Sequence, residues 1–393
     1  MDFHFHQDAI ERLHANGLFR CLRRVEPDPH GHPGRVMIEG RSVILLSSNN
    51  YLGLADHPRI KEAAITAIRQ YGFGSGASRL ISGNAPPHEA LEERIAQFKQ
   101  TESALVFSTG YMANLGVLSC LIPSQGLLIA DRLCHASLID GCRMSGCRFR
   151  VFEHGDLDQL ERMLAKRPAD QPTLIVTDGV FSMDGDIAPL PNLVELAERH
   201  GAAVFVDDAH ATGVIGKEGR GTLEHFGLKP GRVFQMGTLG KALGGFGAYV
   251  AGSRVLIDYL INKAKTFIYT TALPPASAAA ALAAFDLLRE EPERRERLWQ
   301  NRAYYADGLK SLGFDLLNSE TPIIPIMIGD DRSAMTVSQR LLEAGVFAPA
   351  IRPPTVPKGT SRIRTTIMAS HTREDLDRVL DSLGRIARSL RIL

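Results

Sequence analysis

The sequence lacks most of the features that mark a specialised class. It has one tryptophan, and its five cysteines (Cys21, Cys120, Cys134, Cys142, Cys147) form an odd set with no CxxC pair. They read as reduced cytosolic thiols. There is no charge surplus: 45 Lys and Arg face 44 Asp and Glu, so no basic excess is available to neutralise nucleic-acid phosphates. No apolar run approaches the length of a membrane span. The first residues, MDFHFHQDAIERL, carry early acids and no apolar core, unlike a secretory signal. No GxGxxG follows a first strand. A Walker P-loop is excluded at Gly240-Lys241, because Gln235 stands where its first glycine is required. No internal repeat or low-complexity segment is present.

What remains is a chain of 393 residues with an ordinary 44% apolar content, too long for one small core and sized for two or three domains. Two stretches stand out. Val233–Gly247 reads VFQMGTLGKALGGFG: a buried-strand run, Gly237-Thr238, Lys241, then a glycine-rich turn and a second apolar run from Ala248. A lysine set between strands, beside a hydroxyl and glycines, suits a desolvated amine that acts as a nucleophile; a surface lysine in a hairpin is the plain reading. Ala203–Gly213 reads AVFVDDAHATG, a buried strand followed by Asp207, Asp208 and His210. In parallel sheets ligand groups gather at the carboxyl ends of strands. A carboxylate there suits a ring nitrogen, and the histidine a neighbouring substituent. Asp-Asp-x-His also suits a metal, but no other cluster completes a coordination set.

Read in order, residues 7–17 predict an amphipathic helix with Ile10, Leu13 and His14 on one face and Gly17 as cap. Residues 35–46 predict a β-hairpin around Glu39-Gly40. A helix is expected over 58–71 after the turn-rich Ser47–Leu54, where Asn49 is either an Asx-turn residue or an amide for a carboxylate. From about residue 86 helices and strands alternate: helices 88–99, 111–121, 136–145, 157–165 and 190–200, and strands 104–107, 127–130, 148–152, 173–177 and 203–206. This pattern predicts a mostly parallel α/β sheet covered on both faces. Ser108-Thr109-Gly110-Tyr111 opens a helix after a strand, where free amides cap the helix or bind phosphate. After residue 285 the composition changes. Residues 290–302 are densely charged and read as a solvated linking helix. Strands 323–327, 346–351 and 362–368 with helices 333–344 and 372–389 predict a small α+β domain. The expected division is 1–46, an N-terminal helix and hairpin; 47–285, a large α/β domain; and 286–393, a small α+β domain.

Many motifs, in order and nearly end to end, resemble those of the α-oxoamine synthases, a family of fold-type I pyridoxal phosphate (PLP) enzymes. They are SSNNYLGL (Ser47–Leu54), FGSGASRLISGN (Phe73–Asn84), FSTGYMAN (Phe107–Asn114), DRLCHASLIDG (Asp131–Gly141), TDGVFSMDGDIAPL (Thr177–Leu190), VDDAHATGVIGKEGRG (Val206–Gly221) and AIRPPTVPKGTSRIR (Ala350–Arg364). The resemblance implies an aspartate aminotransferase-like fold and PLP bound covalently by Lys241. Asp207 would sit at the pyridine nitrogen, with His135 stacked on the ring. His210 and Ser182 would lie on the phenolic-oxygen side. Gly110, Tyr111 and Thr238 would bind the phosphate, joined by Thr270 or Thr271 of a second subunit. Arg364 would hold the amino-acid carboxylate as a bidentate fork, with Arg362 as fallback. Asn49, His135, Arg20, Arg352 and Thr355 would contact substrates, Arg20 at the far carboxylate of an acyl chain. Asp184 and Asp186 would be turn residues.

The implied reaction is a decarboxylative condensation of an amino acid with an acyl thioester by a cytoplasmic homodimer. The Ile-Arg-Pro-Pro-Thr-Val-Pro form of Ile351–Pro357 favours L-alanine and a pimeloyl thioester, on coenzyme A or a carrier protein. Other readings are sister activities (glycine C-acetyltransferase, 5-aminolevulinate synthase, serine palmitoyltransferase, a broad-specificity C-acyltransferase), an aminotransferase of the same fold, or a non-catalytic nucleotide binder.

Overall fold

The computed structural model describes residues 4–16 and 18–393. Its centre is a seven-stranded sheet in the order Ser103–Phe107, Ala248–Gly252, Val233–Thr238, Ala203–Asp207, Thr173–Asp178, Leu127–Asp131, Arg148–Phe152. Only Ala248–Gly252 runs antiparallel to its neighbours. The inner strands Leu127–Asp131 and Thr173–Asp178 are apolar on both faces and buried along their length, as helices covering both sides require. Leu105, Leu128, Leu174 and Phe205 face one apolar layer, and Ile129, Ile175, Val204 and Val206 the other. Each such side chain contributes roughly 2 kcal/mol by leaving water.

Two helices on the first face matter for the site. Gly110–Leu118 begins at Thr109, whose hydroxyl accepts from Met112 N at 3.1 Å, so Thr109 rather than Ser108 is the cap. Ala136–Met144 begins at His135 and packs against it. The packing is close because residue 141 is glycine: a Cβ there would lie 2.9 Å from Asn114 O and about as close to Leu118.

The hairpin forms as expected, with strands Arg35–Ile38 and Arg41–Leu45 and positive φ at Glu39 and Gly40. Its second strand also pairs in parallel with Val346–Phe347, so the N-terminal hairpin shares a sheet with the C-terminal part of the chain. A third sheet joins Ile323–Gly329, Ser361–Thr366 and Ala350–Ile351.

Two expectations need correction, and two helices show features the sequence did not. Residues 346–351 do not form one strand: Val346–Phe347 and Ala350–Ile351 belong to different sheets. The charged stretch from 290 opens a 20-residue helix, Glu293–Leu312, that buries Arg295, Leu298, Tyr305, Ala306 and Leu309, so it is a packed helix rather than a solvated link. Helix Pro275–Glu290, unpredicted, packs on helix Pro58–Tyr71 and crosses residue 285. The first helix forms where it is expected, as His4–Ala15, but buries none of its residues, and Phe5, Ile10 and Leu13 stand exposed. Its expected cap, Gly17, lies outside the described residues.

Candidate active site

Asp131, Asp178 and Asp207 are the last residues of three neighbouring parallel strands, and Thr238 ends the fourth. Asp207 is buried. Its Oδ1 accepts from Ala209 N at 2.9 Å and its Oδ2 from Asn114 Nδ2 at 2.7 Å, two donors that fix the carboxylate's direction. Asp208 turns the other way. It is fully buried, paired with Lys99 Nζ at 3.1 Å and bonded to the Thr222 hydroxyl at 2.7 Å. The Asp-Asp-x-His stretch therefore splits between the site and the frame.

Lys241 lies three residues past Thr238, in a turn closed by Gly244 N to Lys241 O at 2.9 Å and Gly245 N to Leu239 O at 2.8 Å. Desolvation lowers its proton affinity, opposed by the charges of Asp207 and Asp178 and assisted by that of Arg364. Such an amine is ready as a nucleophile. His135 caps its helix by accepting from Ser137 N, and its backbone N–H donates to Asp178 Oδ2 at 2.7 Å. Burial lowers its proton affinity too. His210 is buried, with Nδ1 2.7 Å from the Tyr51 hydroxyl. Desolvation, then Lys241, Arg364 and His135, holds it well below the usual histidine range, so it is a neutral ring. Burial pushes Tyr51 up to about 12.

Arg364 donates from Nε to Ser182 O at 2.5 Å and approaches Asn49 Oδ1 with Nη2 at 3.5 Å. Ser182, Asn49, Tyr51 and His210 are thereby gathered around one guanidinium. Arg362 is otherwise engaged: its Nη1 pairs with Asp184 Oδ1 at 2.5 Å and its Nε donates to Thr360 O. Asp184 and Asp186 thus do more than turn the chain, since Asp186 Oδ2 lies 2.9 Å from His154 Nε2.

The opening of helix Gly110–Leu118 faces Thr238, and a Cβ on Gly110 would stand 2.8 Å from Thr238 Cγ2. Glycine is what lets these amides approach the hydroxyl-bearing strand end. Tyr111 is half-exposed and its hydroxyl donates to Asp140. Thr270 lines a small pocket with Ser108 and Phe107, while Thr271 is exposed. Arg20 and Thr355 are exposed and Arg352 is half-buried. Sequence reasoning missed Tyr51, Asn114, Ser137 and Asp178, all inside recognised motifs but with partners far away in the chain.

The set matches what PLP asks of a protein. An amine of lowered basicity, a strand-end carboxylate held by two donors, and a helix N-terminus beside a threonine stand at neighbouring strand ends. A family model for aminotransferase class I and II matches residues 41–383, and the chain belongs to that family of fold-type I PLP enzymes. Its relatives narrow the membership. It is 52% identical over 388 residues to 8-amino-7-oxononanoate synthase of Geobacter sulfurreducens, covering 98% of each chain. It is 52% identical over 393 residues to 8-amino-7-oxononanoate synthase 1 of Bacillus subtilis, covering 100% of this chain and 99% of the other. Within the class, this chain falls among the 8-amino-7-oxononanoate synthases. Of solved structures, a serine palmitoyltransferase from S. paucimobilis with bound PLP and myriocin superposes with a TM-score of 0.94 at 33% identity over the full length of both chains. The 8-amino-7-oxononanoate synthase from Francisella tularensis does so at 0.78 and 29%, covering 89% of this chain and 99% of the other. Of these two structures the palmitoyltransferase is the nearer in both backbone and identity. Backbone likeness reports the shared fold, and the 52% identity over nearly the full chain to the Geobacter and Bacillus oxononanoate synthases carries the assignment.

Proposed function

We propose that this enzyme condenses L-alanine with a pimeloyl thioester, on coenzyme A or a carrier protein, releasing CO2 and free thiol and giving 8-amino-7-oxononanoate for biotin biosynthesis. The observation that carries the reading is the place of Lys241, three residues past the strand end at Thr238, where burial lowers its proton affinity against the pull of Asp207 and Asp178.

PLP, when bound, supplies an electron sink for charge developing on the amino-acid Cα. Lys241 holds it and then moves the proton at that Cα. Asp207 keeps the proton on the pyridine nitrogen. His210 and Ser182 hold the phenolic-oxygen side; the amides of Gly110 and Tyr111, with Thr238, hold the phosphate. Arg364 is the carboxylate fork rather than Arg362, because Asp184 occupies the Arg362 guanidinium. Asn49 stands beside Arg364 to share that carboxylate. His135 meets the acyl group, and Arg20, Arg352 and Thr355 are assigned to the acyl chain.

The working unit in this reading is a homodimer. Phe73, Ile81 and Tyr269 are 78, 82 and 80% exposed, on two segments joined by Ala272 N to Ala77 O at 2.9 Å. A second copy covering them would bring Thr270 or Thr271 toward its neighbour's phosphate. All five cysteines are free, and among the described residues no helix is long and apolar enough to cross a membrane; both suit a cytoplasmic enzyme. The test is thiol release from pimeloyl-CoA with L-alanine, glycine and serine in turn. Preference for alanine supports the reading, and preference for glycine or serine overturns it in favour of a sister activity.

A further inference from the structure

Asp207 and His135 are joined by two side chains that do not themselves reach the site cavity. Asn114 is fully buried, and its Nδ2 donates to Asp207 Oδ2 at 2.7 Å and to Ser137 Oγ at 2.9 Å. Ser137 is 1% exposed, and its Oγ lies 2.8 Å from His135 Nδ1. The direction of each bond follows from the inventory of donors. A carboxylate only accepts, so the amide must turn its NH2 toward Asp207, which leaves Asn114 Oδ1 buried and without a partner. One hydrogen of that NH2 bonds Asp207, and the other bonds Ser137 Oγ. The serine hydroxyl can accept from Asn114 and still donate its own proton to His135 Nδ1. The backbone N–H of Ser137 points at the same ring nitrogen, 3.3 Å away, as the helix cap. Two donors converge on Nδ1, so Nδ1 carries no proton and Nε2 does.

We propose that Ser137 and Asn114 are positioning residues that hold His135 as the Nε2–H tautomer and lock that choice to the direction of the Asp207 carboxylate. His135 then enters the site as a hydrogen-bond donor, not as a base. Given the proposed reaction, on which this role rests, the group it would meet is an oxygen acceptor on the acyl thioester. Among the described residues Nε2 has no partner, and the charged neighbours of the ring are Asp207, Lys241 and Asp140. The unpartnered Asn114 Oδ1 reinforces the argument. A buried amide oxygen without a donor is costly, and the chain accepts that cost in order to present both hydrogens to Ser137 and Asp207.

The tautomer is read directly from imidazole nitrogen NMR signals of the full-length protein labelled at histidine. It is recorded at neutral pH with and without PLP, and His135 is assigned by its loss in His135→Asn. The expected result is an unprotonated Nδ1 and a protonated Nε2 in the wild type, mixed tautomers in Ser137→Ala and in Asn114→Ala, and return of the single tautomer in Ser137→Thr, which keeps the hydroxyl. In turnover, kcat/KM for the thioester falls roughly tenfold in Ser137→Ala, the scale of one lost buried hydrogen bond, while KM for the amino acid holds. A protonated Nδ1 in the wild type, or an unchanged single tautomer in both alanine variants, overturns the proposal. The NMR reading does not depend on which thioester is turned over, so failure of the substrate assignment and failure of this inference are distinguishable.

Discussion

Asp178 and Asp207 end adjacent parallel strands in register, so two carboxyl groups share one rim of the site. They differ in what holds them. Asp207 receives two donors, from Asn114 and Ala209. Asp178 is pushed well above the usual carboxylate range, first by burial and then by the charge of Asp207, against the opposing pull of the His135 backbone N–H. Burial and the neighbouring charge thus make the Asp178 carboxyl the harder of the two to ionise, while two donors fix the direction of Asp207.

The first prediction concerns this pair. A carboxyl whose folded pKa is raised stabilises the fold below its unfolded pKa of about 3.9 and loses that contribution as pH rises through the folded value. Asp178→Asn keeps an acceptor for His135 N and removes the penalty. Its Tm should equal or exceed that of the wild type at pH 8, with the difference narrowing toward pH 4. Equal destabilisation at every pH would contradict the raised pKa of Asp178.

Arg364 and Arg362 should separate in kinetics and stability. Arg364→Ala should raise KM for L-alanine by at least about tenfold with the fold intact, since a charged hydrogen bond is worth roughly 1.5–3 kcal/mol. Arg362→Ala should instead lower stability by about 3 kcal/mol, because it strips Asp184 of a buried partner. Urea melts and alanine titrations of both variants decide this, and an unchanged KM in Arg364→Ala would reassign the fork.

His154 bridges Asp131 at 3.0 Å and Asp186 at 2.9 Å. Burial alone would lower its pKa, but the bonds to the two carboxylates outweigh it and raise it to about 10. Its stabilising contribution is complete below the unfolded value of about 6.5 and is lost as pH climbs toward 10. His154→Gln should flatten the decline of Tm over that window. An undiminished decline would assign it to other groups.

Lys99 and Asp208 form a fully buried ion pair beneath the site. Lys99→Met should cost about 3–5 kcal/mol, read from the denaturant midpoint, because Asp208 is left buried without its cation. A cost below about 1 kcal/mol would mean that the Thr222 bonds suffice.

Much of this was legible in the chain. Strands such as Arg148–Phe152 and Ala203–Asp207 are compact apolar runs, and Lys241, Asp207 and His210 sit at their ends in recognisable motifs. The parts that escaped depend on distance. Nothing local splits residues 346–351, because the two halves pair with Arg41–Leu45 and Ser361–Thr366. Helix Pro275–Glu290 is apolar nearly all round, so it carries no periodic stripe. Asn114 and Ser137 read as ordinary helix residues until the close contact at Gly141 brings their helices together. Arg362 and Arg364 have the same strand parity, and only Asp184 tells them apart.

The most direct test of the central claim is thiol release from pimeloyl-CoA in the presence of PLP and L-alanine by the wild type and Lys241→Ala. The account predicts alanine-dependent turnover in the wild type and a loss of at least about a thousandfold in the variant, which lacks the group that holds the cofactor and moves the Cα proton. Turnover by Lys241→Ala near the wild-type rate would contradict it.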